Sequence, residues 1–156
     1  ENYQKRSFRN KYLILSSNGI LPLSVPLSKG KNQQQKIKDV TISYDENWIK
    51  IHLDALKSAY GKSPYFEHYY PTYIKLLNKK FETLYELNNE TLRLILSQLK
   101  SDILIKESEG YIKDKTAFNY TTKPYLQVFE YKFGFVEDLS ILDLLFNTGP
   151  EARRYL

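Results

Sequence analysis

Cysteine is missing from this 156-residue chain, and so is methionine. Without cysteine there can be no disulfide framework, no thiolate zinc site and no thiol nucleophile. The lack of methionine extends to the first position. With the charged opening ENYQKRSFRN, this leads to the expectation that the chain starts inside a longer gene product. Histidine occurs twice and tryptophan once. Two histidines 16 positions apart, with no matched acidic or sulfur ligands, do not make a metal site by spacing, and no cofactor is expected. There is no uninterrupted apolar run long enough for a membrane-spanning helix and no secretory signal, which fits a cytoplasmic protein. Nucleophile-elbow, phosphate-loop, dinucleotide and zinc-protease patterns are all absent. A phosphate-cradling loop needs more glycine than the single Gly30 of the polar stretch 28–36, and a following helix. That stretch reads as an exposed loop.

What is present is tyrosine. Fourteen Tyr, eight Phe and the single Trp make 15% of the chain. Tyrosine combines apolar area with a polar tip and suits walls that border water. The formal charge is +5. It is dispersed except for Lys5, Arg6, Arg9 and Lys11, and it lacks the dense stripe and recognisable module of a nucleic-acid binder. The length favours one domain, 1–156, with its own core.

The stretch WIKIHLDALKSAYGKSPYFE, residues 48–67, organises the rest. Asp45, Glu46 and Asn47 offer acceptors for a helix start. Ile49, Leu53, Leu56 and Tyr60 recur at helical spacing, and Gly61 and Pro64 mark the end. Trp48, His52, Ala55 and Ala59 form a neighbouring stripe, so His52 sits one turn above the indole. Two readings stand side by side: a core histidine with satisfied nitrogens, or a general acid–base and substrate-bonding group.

Before this helix, YLILSSNGILPLSVPL (12–27) predicts a hairpin turning at Asn18-Gly19. Pro22 and Pro26 remove two ladder donors, so its second strand is short or lies at an edge. Residues 37–44 alternate and predict a third strand, with Asp39 on its wet face or paired with an early basic residue. After the helix, Ser63 and Pro64 predict a second helix start, which Pro71 should kink or divide. A third helix is expected over 88–101, capped by Asn88 or Asn89, and a short strand over 102–106. Residues 108–124 should be loop and 125–136 strand or extended loop. Ser140 should cap a short helix ended by Asn147 and Gly149, with Pro150 opening a last turn. His68 should be more exposed than His52. The fold class is therefore α+β: an N-terminal β-hairpin and a third strand in a small sheet packed by several α-helices.

Several segments together resemble the WbqC-like family. These are NYQKRSFRNK, the NG-ILPLSVPL hairpin, KIKDVTI, the spacing of Trp48 and His52, AYGKSPYFE, and the closing QVF, GF and LSILDLLFNTGPEA. The resemblance implies a single domain of that family, here without the usual N-terminal segment. It also implies a place in bacterial O-antigen and surface-polysaccharide biosynthesis, with transfer of an acyl group such as glycine to an amino sugar or nucleotide sugar. Carried over onto this chain, it marks Lys5, Arg9 and Asn10, Trp48 and His52, Tyr60, Pro64, Tyr65 and Phe66, and Gln127, Asp143, Asn147 and Gly149. In the enzyme reading His52 is the base. Lys5 and Arg9, with Asn10, hold a phosphate or carboxylate, and Trp48, Tyr60 and Tyr65 lie against the sugar. The alternative is a non-catalytic protein that binds a glycan or a partner of the same system through its aromatic surface. No nucleic-acid partner, metal or membrane span is expected.

Overall fold

A computed structural model describes residues 2–4, 7–28, 35–107, 109 and 123–156. It has a two-stranded antiparallel sheet and helices packed on it, an α+β arrangement. Strand β1 runs Lys11–Ser16 and β2 runs Gly19–Ser24, in register from Lys11 opposite Ser24 to Ser16 opposite Gly19. The tight turn is one residue earlier than the Asn18-Gly19 pair predicts. Ser17 and Asn18 form the loop, the Ser16 hydroxyl accepts the Asn18 N–H, and Gly19 alone takes a positive φ, +104°. Pro22 lies within β2 without cost, because in a two-stranded ribbon its nitrogen has an open side.

The expected third strand does not form among the described residues. Ile37–Asp39 is a 3-10 turn, and Asp39 is exposed there. The four extended residues that follow bridge two different neighbours. Thr41 and Ser43 bond the chain at Ser28 and Pro26 on one side, and Val40 and Ile42 bond it at Leu84 and Glu82 on the other. Four residues shared between two partners give isolated bridges and no ladder. The strand expected over 102–106 is likewise absent. No ladder partner is available to it among the described residues, and Ile103 and Leu104 are exposed. Residues 125–136 are irregular apart from one helical turn, which is introduced below. The loops expected at 28–36 and 108–124 fall mostly outside the described residues.

Helix α1 spans Trp48–Tyr60, with Asn47 as the N-cap that accepts from the Lys50 N–H. Helix α2 spans Phe66–Leu77 and starts later than Ser63 predicts. Ser63 turns backward instead, and its hydroxyl donates to the Tyr60 carbonyl at 2.7 Å. Pro71 neither divides α2 nor ends it. The carbonyl it deprives, that of Glu67, belongs to an exposed residue where water can replace the lost donor. Helix α3 spans Leu84–Gln98, four residues ahead of the expected start. Thr83 and Glu86 form a reciprocal capping box that outranks Asn88 as a start signal. A helical turn α4 at Glu130–Phe133 ends at Gly134 (φ +69°). Helix α5, Ile141–Thr148, is capped by Ser140 as expected and leads into a 3-10 turn at Gly149–Arg154.

Two apolar clusters result. One gathers Ile14, Leu56, Tyr60, Phe66, Tyr73 and Leu76 with Leu142, Leu145 and Phe146 of α5. The other gathers Tyr3, Val25, Val40, Ile42, Trp48, Ile49, Leu84 and Leu87. Helix α1 belongs to both, its first turn to the second cluster and its last two turns to the first. The seam between the clusters lies along its middle, where His52 is.

Gly149 is held by a close approach. Its φ is +58°, and a Cβ there would collide with the Tyr65 ring. Gly149→Ala combines backbone strain with overpacking and is expected to cost about 3 kcal/mol. Urea denaturation checks this; a loss below about 0.5 kcal/mol would show that the Tyr65–Gly149 contact is not tight.

Candidate functional site

The seam holds a cavity of about 210 Å³. Val25, Leu56, Leu76, Leu87 and Leu142 make its apolar wall, with the rings of Trp48 and Tyr73. Phe8, Arg9, Lys11 and Asn88 line it too and are the more exposed part. His52 and Tyr12 line it together. Strand β1 supplies Tyr12, α1 supplies His52, and the segment before β1 supplies Arg9 and Asn10.

The imidazole of His52 is 3% exposed. Its Nε2 lies 3.2 Å from the Ser24 carbonyl, which can only accept, so Nε2 carries the proton. Nδ1 lies 3.2 Å from the Tyr12 hydroxyl and accepts from it. The indole of Trp48 meets the imidazole edge-on at 5.1 Å, and Tyr12 does so at 5.5 Å. Burial lowers the His52 pKa from its ordinary 6.5, and the bond to Ser24 offsets part of that. Burial also pushes the Tyr12 hydroxyl up. The pair is therefore neutral at pH 7 and hydrogen-bonded in one direction, Tyr12 to His52 to Ser24. Both readings of His52 from sequence meet here: its nitrogens are satisfied and it borders a cavity.

The other expected site residues divide. Arg9 lines the cavity, with one guanidinium nitrogen 3.5 Å from the Gln4 side-chain oxygen. Asn10 lines it as well, but its amide is committed: Oδ1 accepts from the Tyr3 hydroxyl and Nδ2 donates to the Val25 carbonyl. It builds the wall. Trp48 is similarly fixed, its Nε1 donating to the Ser43 carbonyl at 3.1 Å. Lys5 lies outside the described residues. Tyr60 and Tyr65 are elsewhere: Tyr60 is fully buried under α5, and the half-buried Tyr65 packs on Gly149. Neither lines this cavity. Tyr12 and Asn88 are the residues that sequence reasoning missed as cavity-lining. Tyr12 was readable only as a strand residue, because its partner lies 40 positions away. Asn88 donates to the Arg9 carbonyl at 2.9 Å and ties α3 to the N-terminal segment.

A second polar centre lies under α5. Asp143 is wholly buried. Its Oδ2 accepts from the Tyr125 hydroxyl at 2.8 Å and from Gln127 Nε2 at 3.0 Å, while Oδ1 has no hydrogen-bond partner. The Tyr60 hydroxyl accepts the Leu15 N–H at 3.1 Å. It and Asn147 favour the charged form of Asp143 without closing a bond to Oδ1. Gln127 also bonds Val136 through both ends of its amide. Desolvation dominates and raises the Asp143 pKa from its ordinary 3.8, with the Tyr125, Tyr60, Gln127 and Asn147 groups pulling it back. Among the described residues, no group of three histidine or carboxylate side chains is placed to hold a metal ion. No helix among them is long and apolar enough to cross a membrane.

The Asp143 shift fixes a pH dependence. The folded pKa lies above the unfolded one, so the folded state holds the proton more tightly. Stability from this group is greatest below about pH 3.8 and declines as pH rises through the folded pKa. Asp143→Asn keeps an oxygen for Tyr125 and Gln127 and carries no charge. Thermal melting across pH 4–8 should show the variant losing less stability with rising pH than the parent; a steeper decline in the variant would contradict the raised pKa.

The model of a family described as the WbqC-like protein family matches residues 1–119. An uncharacterized protein of Mycobacterium tuberculosis, Rv1507c, is 27% identical over 196 residues, covering 99% of this chain and 83% of its own length. No solved structure matches the chain.

Proposed function

The chain belongs to the WbqC-like protein family, and from that premise we propose that it is an acyltransferase of bacterial surface-polysaccharide assembly. In this reading it moves an acyl group, such as glycyl, onto an amino sugar or nucleotide sugar. One observation carries the proposal: the Tyr12–His52 pair borders the same cavity as the cationic Arg9 and Lys11. A cavity of about 210 Å³ falls below the roughly 300–1,000 Å³ of sites that enclose drug-sized ligands. It holds one reacting moiety, and the remainder of a nucleotide sugar stays outside.

The pair supplies a base. The acceptor nitrogen attacks the carbonyl carbon of an activated acyl donor, forming the C–N bond, and the leaving group departs with the electrons of the bond it breaks. The nitrogen's proton passes to the Tyr12 oxygen while the Tyr12 proton moves to His52 Nδ1. The Ser24 carbonyl, bonded to the opposite N–H, steadies the imidazolium that forms. This relay avoids a free tyrosinate; burial disfavours that anion and the imidazolium alike, and only the imidazolium has a partner, the Ser24 carbonyl, to offset it. With no cysteine in the sequence there is no thiol nucleophile, and direct transfer requires none. Arg9 and Lys11 attract a phosphate or carboxylate of either substrate.

A second reading, a non-catalytic protein that binds a glycan or a partner, is favoured by one feature: both His52 nitrogens already have partners. Tyr12→Phe separates the two, since it removes only the hydroxyl. Amide formation from amino-sugar acceptors and activated acyl donors, followed by mass spectrometry, should fall about 100-fold in this variant. Full turnover by folded Tyr12→Phe contradicts the relay. Saturable sugar binding with no product in the parent protein establishes the second reading.

A further inference from the structure

The interior of the seam cavity is a poor place for a sugar. The Tyr73 hydroxyl is spent on Gln98 at 2.6 Å, Asn10 on Tyr3 and Val25, and His52 on Tyr12 and Ser24. A sugar ring enclosed there would bury several hydroxyls against a wall whose deeply buried part is mostly apolar, with the Tyr12, Asn88, Thr91 and Ser140 oxygens as acceptors on its less buried part. Each hydroxyl left unpaired costs about tenfold in affinity. An apolar group pays no such cost and gains from every contact with Leu56, Leu76, Leu87 and Leu142. Size sets a further limit. A volume of about 210 Å³ is below the roughly 300–1,000 Å³ of sites that enclose drug-sized ligands and suits a short alkyl chain or one phenyl ring. Charge sets the orientation, because the buried residues apart from the neutral His52 are apolar or aromatic while cationic Arg9 and Lys11 are on the less buried part of the lining.

We propose that the seam cavity takes the acyl part of the substrate, as an apolar group of about four to six carbons. Its carboxyl or activated carboxyl end lies on the Arg9–Lys11 side, and the sugar stays outside. This rests on the acyltransferase reading and narrows it: a glycyl group, with no side chain, leaves most of the cavity empty. It also explains why the wall is built from leucines, where a sugar site needs open donors and acceptors.

Calorimetric titration of the whole chain with hexanoate, hexanol, glycine and glucosamine tests the assignment. Hexanoate should bind saturably, at least tenfold more tightly than glycine or glucosamine, and more tightly than hexanol at low salt. Lys11→Gln should reduce the hexanoate preference severalfold and weaken its salt dependence. Leu76→Trp fills the interior, and Thr91→Phe fills the cavity from the half-buried side of α3 if the first variant does not fold. Either folded variant should abolish hexanoate binding. Tighter binding of glycine or glucosamine than of hexanoate overturns the proposal, as does hexanoate binding that survives both fillings. Hexanoate binding that responds to the fillings, in a protein that forms no amide with any donor, supports the cavity assignment and sinks the acyltransferase reading. Efficient glycyl transfer without hexanoate binding does the reverse.

Discussion

One imidazole fixes how the longest-reaching elements meet. His52 projects from the middle of α1 and bonds both strands of the hairpin, Tyr12 on β1 through Nδ1 and Ser24 on β2 through Nε2. A two-stranded ribbon is marginal by itself, so its orientation on α1 must be set by contacts across it. Each of these bonds contributes about 1 kcal/mol net, but losing one leaves a buried polar group unpaired at about 1–3 kcal/mol. The geometry of the seam, and so the shape of the cavity, follows from this crossing. Leucines on either side then determine what the cavity prefers to hold.

The buried carboxyl of Asp143 plays the corresponding part under α5. It draws Tyr125 and Gln127 onto α5, and Gln127 passes the connection to Val136. Residues 125–137 contain only one helical turn, so side-chain bonds replace the ladder that would otherwise hold them. Placing a carboxyl there is costly without a counter-charge, and the raised pKa records that cost. The two centres share a design: a polar group in an apolar seam, bonded to segments that have little regular structure of their own.

Much of this was legible in the residues. The amphipathic pattern of 48–60 gave α1 its extent, the hairpin was marked by its glycine and prolines, and Ser140 and Gly149 bracketed α5. His52 was singled out with two readings left open, and its satisfied nitrogens and its place beside the cavity keep both in view. What was not legible depends on distance. The alternation in 37–44 is real, but the segment is divided between two neighbours, and only tertiary structure decides that. Tyr60 was read as part of the apolar stripe of 48–60, and the family resemblance set it with Tyr65 against a sugar. The first is buried by α5, nearly ninety residues further along, and the second is pinned against Gly149. The Thr83–Glu86 capping box was readable in the sequence and was outweighed by the asparagines that follow it.

The central claim is that His52 is a neutral, directionally bonded link between α1 and the two strands. The imidazole nitrogen spectrum by NMR tests it most directly, recorded from pH 5 to 8 on the parent and on Tyr12→Phe. The account predicts a single Nε2–H tautomer in the parent, titrating below 6.5, with the Nδ1 resonance alone moving strongly in Tyr12→Phe. Exchange between both tautomers, with titration at the ordinary value and no response to the missing hydroxyl, would contradict it.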